Sequence, residues 1–189
     1  MNVTVRVDAA KVQRALAGLS EATSRKTIYR SLNKAVDAGK TEAVRYTRAK
    51  LNLKRAAAAE AISVRKAASA ALTGQILIVP KAVPLIDYSA RQTQKGVTVQ
   101  IYKGGSRKLV RHAFKARMKS GHIGVFTRHE EGQMGRSGRL PIRQLFSLSV
   151  RLLFSTPIAV QHVTKVAAEV FVSESKRLVA LALKQARAA

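Results

Sequence analysis

The sequence predicts an α+β fold with N-terminal helices, a central small antiparallel β-sheet and a long C-terminal helix. Apolar or small residues recur at spacings of three and four between about Thr23 and Lys50, which is the period of an amphipathic helix. The same period returns after Pro157. Strict alternation of apolar and polar residues, typical of strands, occurs in the middle of the chain, as in residues 96–102. This order, in which helices are followed by strands and then by another helix, is typical of an α+β chain.

Residues 1–68 are predicted to be the mainly helical part. Alternating valines within the first seven residues indicate a short strand, and Asp8 can cap a helix that ends near Gly18. The helix over about 23–50 has an apolar stripe comprising Ile28, Leu32, Ala35, Val36, Gly39, Ala43 and Tyr46. Its opposite face, which is either solvated or contacts an anionic partner, comprises Arg25, Lys26, Arg30, Lys34, Lys40, Arg45 and Arg48. Residues 54–68 include four consecutive alanines and predict a further, peripheral helix.

Residues 69–155 are predicted to be the β-rich part. Strands or extended pieces are expected at residues 72–79, 84–86, 96–102, 111–117 and 122–128, with turns at Gly104-Gly105 and Lys119-Ser120-Gly121. Residues 130–140 hold three glycines and little apolar periodicity, so they are predicted to form an exposed, mobile loop. The apolar run 144–154 fits a strand or a helix equally well.

Residues 156–189 are predicted to form the C-terminal helix. Thr156 suits the N-cap and Pro157 the first helical position. The apolar stripe expected on this helix comprises Val163, Val166, Val170, Leu178 and Leu181. This stripe packs either in the core of the chain or in a subunit interface. We favour the core.

Length and composition predict one soluble, folded, strongly basic domain over residues 1–189. The chain has 35 Lys and Arg against 10 Asp and Glu, a formal net charge of +25. Its hydrophobic fraction of 47% is too high for a basic disordered tail. The lack of cysteine excludes disulfides, thiolate metal sites and a cysteine nucleophile. Such a charge predicts an anionic neighbour, which is nucleic acid, an anionic membrane surface or an acidic protein.

The densest basic segment contains no acid between residues 91 and 129. Its members are the candidates for contact with DNA or with an acidic protein partner: Arg91, Lys95, Lys103, Arg107, Lys108, Arg111, Lys115, Arg117, Lys119 and Arg128. Trp is absent and aromatic residues make up 5% of the chain, so a base-stacking platform is not expected. We therefore expect phosphate contacts without sequence readout, with a merely solvated face as the alternative.

Catalytic and cofactor motifs are not found in the sequence. His129, Glu130 and Glu131 are the only dense group of possible metal ligands in the sequence. A metal site would need a third ligand that their spacing does not supply, so a solvated acidic patch is the favoured interpretation. The glycines at 132–138 are not followed by the Gly-Lys-Ser/Thr of a P-loop. We predict that the protein is not an enzyme and uses no cofactor or metal.

Ordered short motifs in the middle and C-terminal thirds resemble the minor tail protein Z family of tailed bacteriophages and prophages. They are Pro84-Leu85-Ile86, Tyr88 to Thr93, Lys95 to Val99, Ala113-Phe114, Ser120 to Arg128, Gly138 to Ile142, and Ser149-Val150. Each motif is weak, and the specificity of the resemblance lies in their order. The chain departs from the family pattern at Phe146-Ser147-Leu148, where a Gly-Pro-like turn is expected.

The resemblance implies a structural virion protein of a long-tailed phage, a tail-completion or neck component without catalytic residues. Such proteins form rings, commonly of six copies, that join tail to head and position the DNA end for ejection. The implied partners are further copies of the chain, the tail terminator, tail tube and head–tail connector proteins, and phage DNA in the lumen, with no membrane. The implied location is the virion, after assembly in the bacterial host cytoplasm. Candidates for an inter-subunit loop are Glu130, Glu131, Met134, Arg136 and Arg139.

Two other functions stay open at this point. Charge alone is compatible with a free, sequence-independent DNA- or RNA-binding protein, associated with the nucleoid or the ribosome. An enzyme of nucleic-acid metabolism that uses His129, Glu130 and Glu131 is the third hypothesis.

Overall fold

The structure, a computed structural model, describes residues 2–4, 20–128 and 141–188. Its helices are α1 (Glu21–Lys50), α2 (Arg55–Glu60), α3 (Val150–Leu153) and α4 (Pro157–Ala188), with a 3-10 turn at Leu85–Asp87. Its strands are β1 (Asn2–Thr4), β2 (Ile62–Arg65), β3 (Gln75–Ile78), β4 (Ala82–Pro84), β5 (Arg91–Thr93), β6 (Gly96–Val99), β7 (Lys108–Arg111), β8 (Ala113–Arg117), β9 (Ile123–Arg128), β10 (Ile142–Gln144) and β11 (Phe146–Ser149). An N-terminal helix, small antiparallel sheets and a long final helix confirm the α+β class.

The chain divides into two compact units. The first comprises Met1–Arg45, Ile62–Val79 and Leu153–Ala189, and the second comprises Tyr46–Ala61 and Pro80–Leu152. Each unit gathers segments that are distant in the sequence. The three consecutive parts predicted along the chain therefore do not coincide with the units in space.

In the first unit, α1 has the amphipathic pattern that its sequence predicts. Ser20 precedes the helix, and its Oγ accepts a hydrogen bond from the Thr23 backbone N–H at 3.4 Å, as an N-cap does. The predicted stripe is confirmed as the buried face from Ile28 to Ala43, and its last member, Tyr46, is half-buried. The basic residues of the opposite face are exposed, apart from half-buried Lys40.

The buried face of α4 differs from the predicted one. Of the five apolar residues in the predicted stripe, only Val163 is buried, and Leu181 is 43% exposed. The buried positions recur every fourth residue instead: Ala159, Val163, Ala167, Phe171, Ser175 and Val179. Small side chains occupy this face because α1 approaches closely. A Cβ placed on Gly39 of α1 would lie 3.3 Å from the Ala167 Cβ, so a pattern read from large apolar residues alone missed the correct face.

The first unit also contains a three-stranded antiparallel sheet in the order β1-β3-β2. Strand β2 corrects the helix predicted over residues 54–68, since α2 ends at Glu60 and the chain then becomes extended. The β-branched Ile62 pairs with Ile78 and is fully buried, so sheet packing overrides the helical composition of this segment. The predicted N-terminal strand is confirmed for β1, and the helix predicted after Asp8 lies outside the described residues.

The described residues of the second unit form three small antiparallel sheets where one was predicted. Their orders are β5-β6-β7, β10-β9-β8 and β11-β4. The predicted hairpin of residues 111–128 is confirmed, because β8 and β9 pair from Ala113 with Thr127 to Arg117 with Ile123. Its turn places Gly121 at φ +82°, a conformation that favours glycine. The core of this unit consists of Leu85, Val97, Val99, Ala113 and Val125.

Two short segments of the second unit refine the sequence predictions. The ambiguous run 144–154 contains both structures, with strand β11 followed directly by helix α3. Phe146-Ser147-Leu148, where the family pattern has a turn, is extended and pairs with β4. At Pro84-Leu85-Ile86 only the proline lies in a strand. The chain then turns into the 3-10 helix because Leu85 enters the core, where it is 6% exposed.

Tyr88 connects two segments of this unit that are 60 residues apart in the sequence. Its side chain is fully buried, and its hydroxyl donates a hydrogen bond to the Leu148 carbonyl oxygen at 3.1 Å. Burial raises the pKa of Tyr88 to about 12, with a hydrogen bond to Ser147 acting in the opposite direction. The phenol therefore stays neutral and keeps its donor at physiological pH.

The assignment of the buried face of α4, whose positions recur every fourth residue, can be tested at two adjacent positions. We expect Phe171→Ala to lower the free energy of unfolding by about 3–5 kcal/mol, because the ring is 1% exposed and its loss leaves a cavity. Val172→Ala, at a position that is 44% exposed, should cost less than about 1 kcal/mol. Urea unfolding followed by circular dichroism measures both. Equal costs at the two positions would contradict the assigned buried face.

Candidate nucleic-acid interface

All ten basic candidates lie in the second unit, and the structure brings only some of them together. Nine of the ten are exposed, and Arg107 is half-buried. By sequence, the segments of the second unit carry 19 Lys and Arg against 4 Asp and Glu. The arrangement of strands decides which of these charges share a face.

The outer face of the β5-β6-β7 sheet carries two of the candidate arginines. Arg91 pairs with Thr98, and Thr98 pairs with Leu109 across the three strands. In the next row Gly96 pairs with Arg111. Residues that pair directly point to the same side of a sheet, so Arg91 and Arg111 stand on the face opposite to buried Val97 and Val99. We call this surface, with Arg91, Thr98, Leu109 and Arg111, the arginine face.

Gly96 is essential to the geometry of the arginine face. Its φ is +144°, and a Cβ added there would lie 2.2 Å from the Val110 carbonyl oxygen on the neighbouring strand. No side chain fits in that space, because the obstacle is backbone and cannot move aside. Glycine at this position therefore allows β6 and β7 to pair closely and sets the spacing of the row that carries Arg111.

Arg107 has a structural role that its sequence context does not reveal. Its Nη2 donates hydrogen bonds to the carbonyl oxygens of Ser89 and Thr98, the latter at 3.1 Å, and its Nε donates to the Thr98 Oγ1 at 3.4 Å. Ser89 has a φ of +51°, which is uncommon for a residue with a side chain. The guanidinium therefore holds a strained turn against β6, and its donors are directed at the protein rather than at solvent.

The β8–β9 hairpin carries three more candidates. Lys115 and Arg117 alternate along one face of β8, and Lys119 lies in the turn. The Lys115 backbone N–H donates to the Gln92 Oε1 at 2.7 Å, which joins this hairpin to β5. These side chains are exposed and add cations outside the β5-β6-β7 sheet, while Gln92 stands on the face opposite to Arg91.

Arg128 lies on the opposite face of the β10-β9-β8 sheet. Its guanidinium carbon is 5.5 Å from the centre of the Phe114 ring, which pairs with Phe126 across the strands. Gly124 lies beneath this pair, since a Cβ there would be 2.8 Å from the Phe126 Cζ. His122 completes the face through a 3.2 Å hydrogen bond between its Nε2 and Gln144. This cluster was not predicted, although the two phenylalanines in predicted partner strands were a usable signal for it.

The remaining candidates occupy separate places. Lys95 lies in the tight turn before β6, and its carbonyl oxygen accepts from the His112 N–H. Lys103 lies beside the Gly104-Gly105 turn, and its N–H donates to the Lys50 carbonyl oxygen at 2.9 Å. Lys108 pairs with Val99 and so stands on the face opposite to Arg91. Arg143 of β10, which the sequence analysis left out, is exposed and pairs with Thr127.

Compensating negative charge is scarce around these residues. The described carboxylates of the second unit are those of Asp87, 3.1 Å from the Lys54 Nζ, and of Glu60, 3.6 Å from the Lys81 Nζ. Residues 88–128 contain no acid. None of the ten candidates forms an ion pair with another described residue. Exposed cations without local partners suit phosphate contacts that do not depend on base sequence.

Several predicted site residues lie outside the described part of the chain. These are His129 and the loop candidates Glu130, Glu131, Met134, Arg136 and Arg139. Among residues 2–4, 20–128 and 141–188, no group of three His, Asp or Glu side chains is arranged to hold a metal ion. Within the same ranges, no helix combines the length and apolarity that a membrane span requires.

The structural role of Arg107 separates it from Arg111 in a stability measurement. We expect Arg107→Ala to lower the free energy of unfolding by about 2 kcal/mol, because carbonyl oxygens of the turn lose a charged donor. Arg111→Ala should change it by less than about 0.5 kcal/mol, as at other exposed positions. Urea denaturation of the two variants is the measurement. A cost for Arg111→Ala equal to that of Arg107→Ala would refute the distinction.

Comparison with known proteins adds no relative of this chain. No protein-family model, no curated protein and no solved structure matches it.

Proposed function

We propose that this protein is a structural virion component of a long-tailed bacteriophage, acting in tail completion at the head-proximal end of the tail. In this proposal, copies of the chain form a ring, commonly of six, that joins tail to head and positions the DNA end for ejection. The observation that carries the DNA-contacting role is the arginine face, where Arg91 and Arg111 are exposed within a segment that contains no acid. The ordered phage-like motifs of the sequence support the viral setting.

The physical requirements of such a ring agree with this surface. DNA that passes through a lumen has no fixed sequence relative to the protein, so contacts must be made to phosphates. Each phosphate contact must be weak enough to break while the DNA moves, which individual exposed arginines and lysines provide. The described second unit offers such cations on the arginine face and on the β8–β9 hairpin, without a stacking platform of exposed aromatic rings on either surface.

The proposed partners follow from the same role. They are further copies of this chain, the tail terminator, tail tube and head–tail connector proteins, and the phage DNA, in a virion assembled in the bacterial host cytoplasm. The candidate inter-subunit residues Glu130 to Arg139 belong to the connection between β9 and β10, whose facing ends Arg128 and Ile142 pair directly. No catalytic step or cofactor belongs to the proposal.

A free DNA- or RNA-binding protein is the second candidate, because the arginine face would serve it equally well. The two candidates differ in what the isolated monomer does. The second one requires tight, salt-sensitive binding by the monomer, whereas a ring component requires many copies to hold DNA. Sedimentation of the purified chain with and without duplex DNA distinguishes them.

The role of the arginine face can be measured through the salt dependence of DNA binding. We expect Arg91→Ala combined with Arg111→Ala to weaken binding to two unrelated duplexes equally and to reduce the slope of log affinity against log salt by about 2, since each phosphate contact contributes about 0.9. The matched control is Lys165→Ala with Lys176→Ala, which removes the same charge from exposed positions of α4. An equal change in both double variants would show a net-charge effect and contradict a localised DNA face.

The viral role can be tested on particles. Electron microscopy of a preparation assembled without this protein should show tails that fail to join heads or particles that fail to eject their DNA. Particles with normal morphology and normal infectivity would overturn the proposal, whatever the DNA-binding result. The DNA measurement and the particle measurement therefore fail independently of each other.

A further inference from the structure

An open groove runs between α1 and α4 in the first unit. One part has a volume of about 440 Å³ and a second part about 240 Å³. Both parts are lined by Arg30, Leu178 and Leu181, so they form one continuous groove. Along α1 it extends from Thr23 to Asp37, a length of about 20 Å at 1.5 Å per residue.

The base of the groove is apolar and incompletely covered. Leu178 is half-buried, and Leu181 is 43% exposed. The core that contains Ile28, Leu32 and Val179 belongs to the same two helices, so the exposed leucines continue the apolar contact between them. Partly exposed leucines beside a packed helix pair form a surface that can bind apolar side chains of another molecule.

One side of the groove carries a row of cations. Lys26, Arg30 and Lys34 follow each other at intervals of four residues on α1, and all three are exposed. None of them forms an ion pair with a described carboxylate. Lys26 and Arg30 are therefore without a carboxylate partner in the described part, whereas Lys34 acts, after Arg177, to lower the pKa of Glu174.

The carboxylates of the groove are already engaged. Asp37 lies 2.9 Å from the Lys66 Nζ, and Glu174 receives two hydrogen bonds from Arg177, the shorter at 2.7 Å. The Arg177 hydrogen bond holds the pKa of Glu174 below its usual range, so this carboxylate stays ionised. Each of these carboxylates is offset by a cation of its own, so the groove keeps an excess of positive charge, and its partly exposed leucines favour a protein ligand over DNA or RNA.

We propose that this groove binds an acidic amphipathic helix of a partner protein. The leucines of the groove receive the apolar face of that helix, and carboxylates spaced three or four residues apart meet Lys26, Arg30 and Lys34. A groove of this length accommodates about 14 helical residues. The charge complementarity identifies the ligand by its chemistry, and the inference stands whether or not the protein is a phage component.

The experiment uses the full chain and a synthetic probe. The probe is a fluorescein-labelled peptide of about 16 residues with leucines on one helical face and glutamates beside them, compared with an isomer of identical composition and charge in scrambled order. In fluorescence polarisation we expect the amphipathic peptide to bind at least about tenfold more tightly than its isomer, because only the ordered peptide presents a leucine face.

Two double variants with the same net charge locate the site. Arg30→Glu with Lys34→Glu should weaken peptide binding at least about tenfold, since it reverses two charges in the groove. Lys165→Glu with Lys176→Glu, on exposed positions of α4 that do not line the groove, should weaken it less than about threefold. Leu181→Gln, at an exposed position, removes an apolar contact without adding a charge, and it should weaken binding of the amphipathic peptide; circular dichroism checks that the variant folds. Where the groove double variant fails to fold, Lys26→Glu takes its place.

Several results would overturn the inference, and three of them come from the peptide measurements. They are equal affinity for the two peptides, equal losses in the two charge-reversed variants, and photo-cross-linking of a benzophenone-labelled peptide to residues 91–128 instead of α4. The inference would also be overturned if DNA displaced the peptide and the groove variant lost affinity for duplex DNA. That pair of results would assign the groove to nucleic acid. The salt slope of Arg91→Ala with Arg111→Ala reports on the proposed DNA contact separately, so the two proposals can fail independently.

Discussion

Repulsion among 35 cationic side chains, with only 10 acids to offset it, is the constraint under which this chain folds. In the described part, the cores are apolar and the cations lie at the surface. Six of the described carboxylates form ion pairs, for example Asp37 with Lys66 and Asp87 with Lys54. Such exposed pairs contribute little to stability individually. The segment 88–128 contains no acid at all, so its cations have no local carboxylate to pair with.

This distribution gives the molecule two basic surfaces with different chemistry. The arginine face and the β8–β9 hairpin present cations with hydroxyl and backbone groups, which suits phosphates. The groove between α1 and α4 presents cations beside leucines and engaged carboxylates, which suits an acidic protein. The proposed role as a ring component of a phage neck would use both kinds of contact, because such a component holds DNA and also binds other proteins. The net charge alone does not distinguish these two uses.

Local patterns predicted much of the fold because they depend on neighbouring residues. The buried stripe of α1 and the β8–β9 hairpin follow from period and turn chemistry, and both are confirmed. The predictions failed where tertiary packing selects among local options. Strand β2 lies in a segment rich in alanine, because Ile62 pairs with Ile78 in a sheet. The buried face of α4 includes alanines and Ser175, because α1 approaches closely at Gly39.

The sequence by itself determined the class of fold, the excess of charge and the segment in which the charge is concentrated, since these are properties of composition and short-range order. Only the tertiary structure decided which cations are available. Arg107 and Arg111 are alike in the sequence, yet strand pairing turns one towards the Ser89 backbone and leaves the other exposed. The tertiary structure also places Lys26, Arg30 and Lys34 beside leucines of a helix about 150 residues later in the chain. Pairing and packing join distant residues, and no local pattern contains that information.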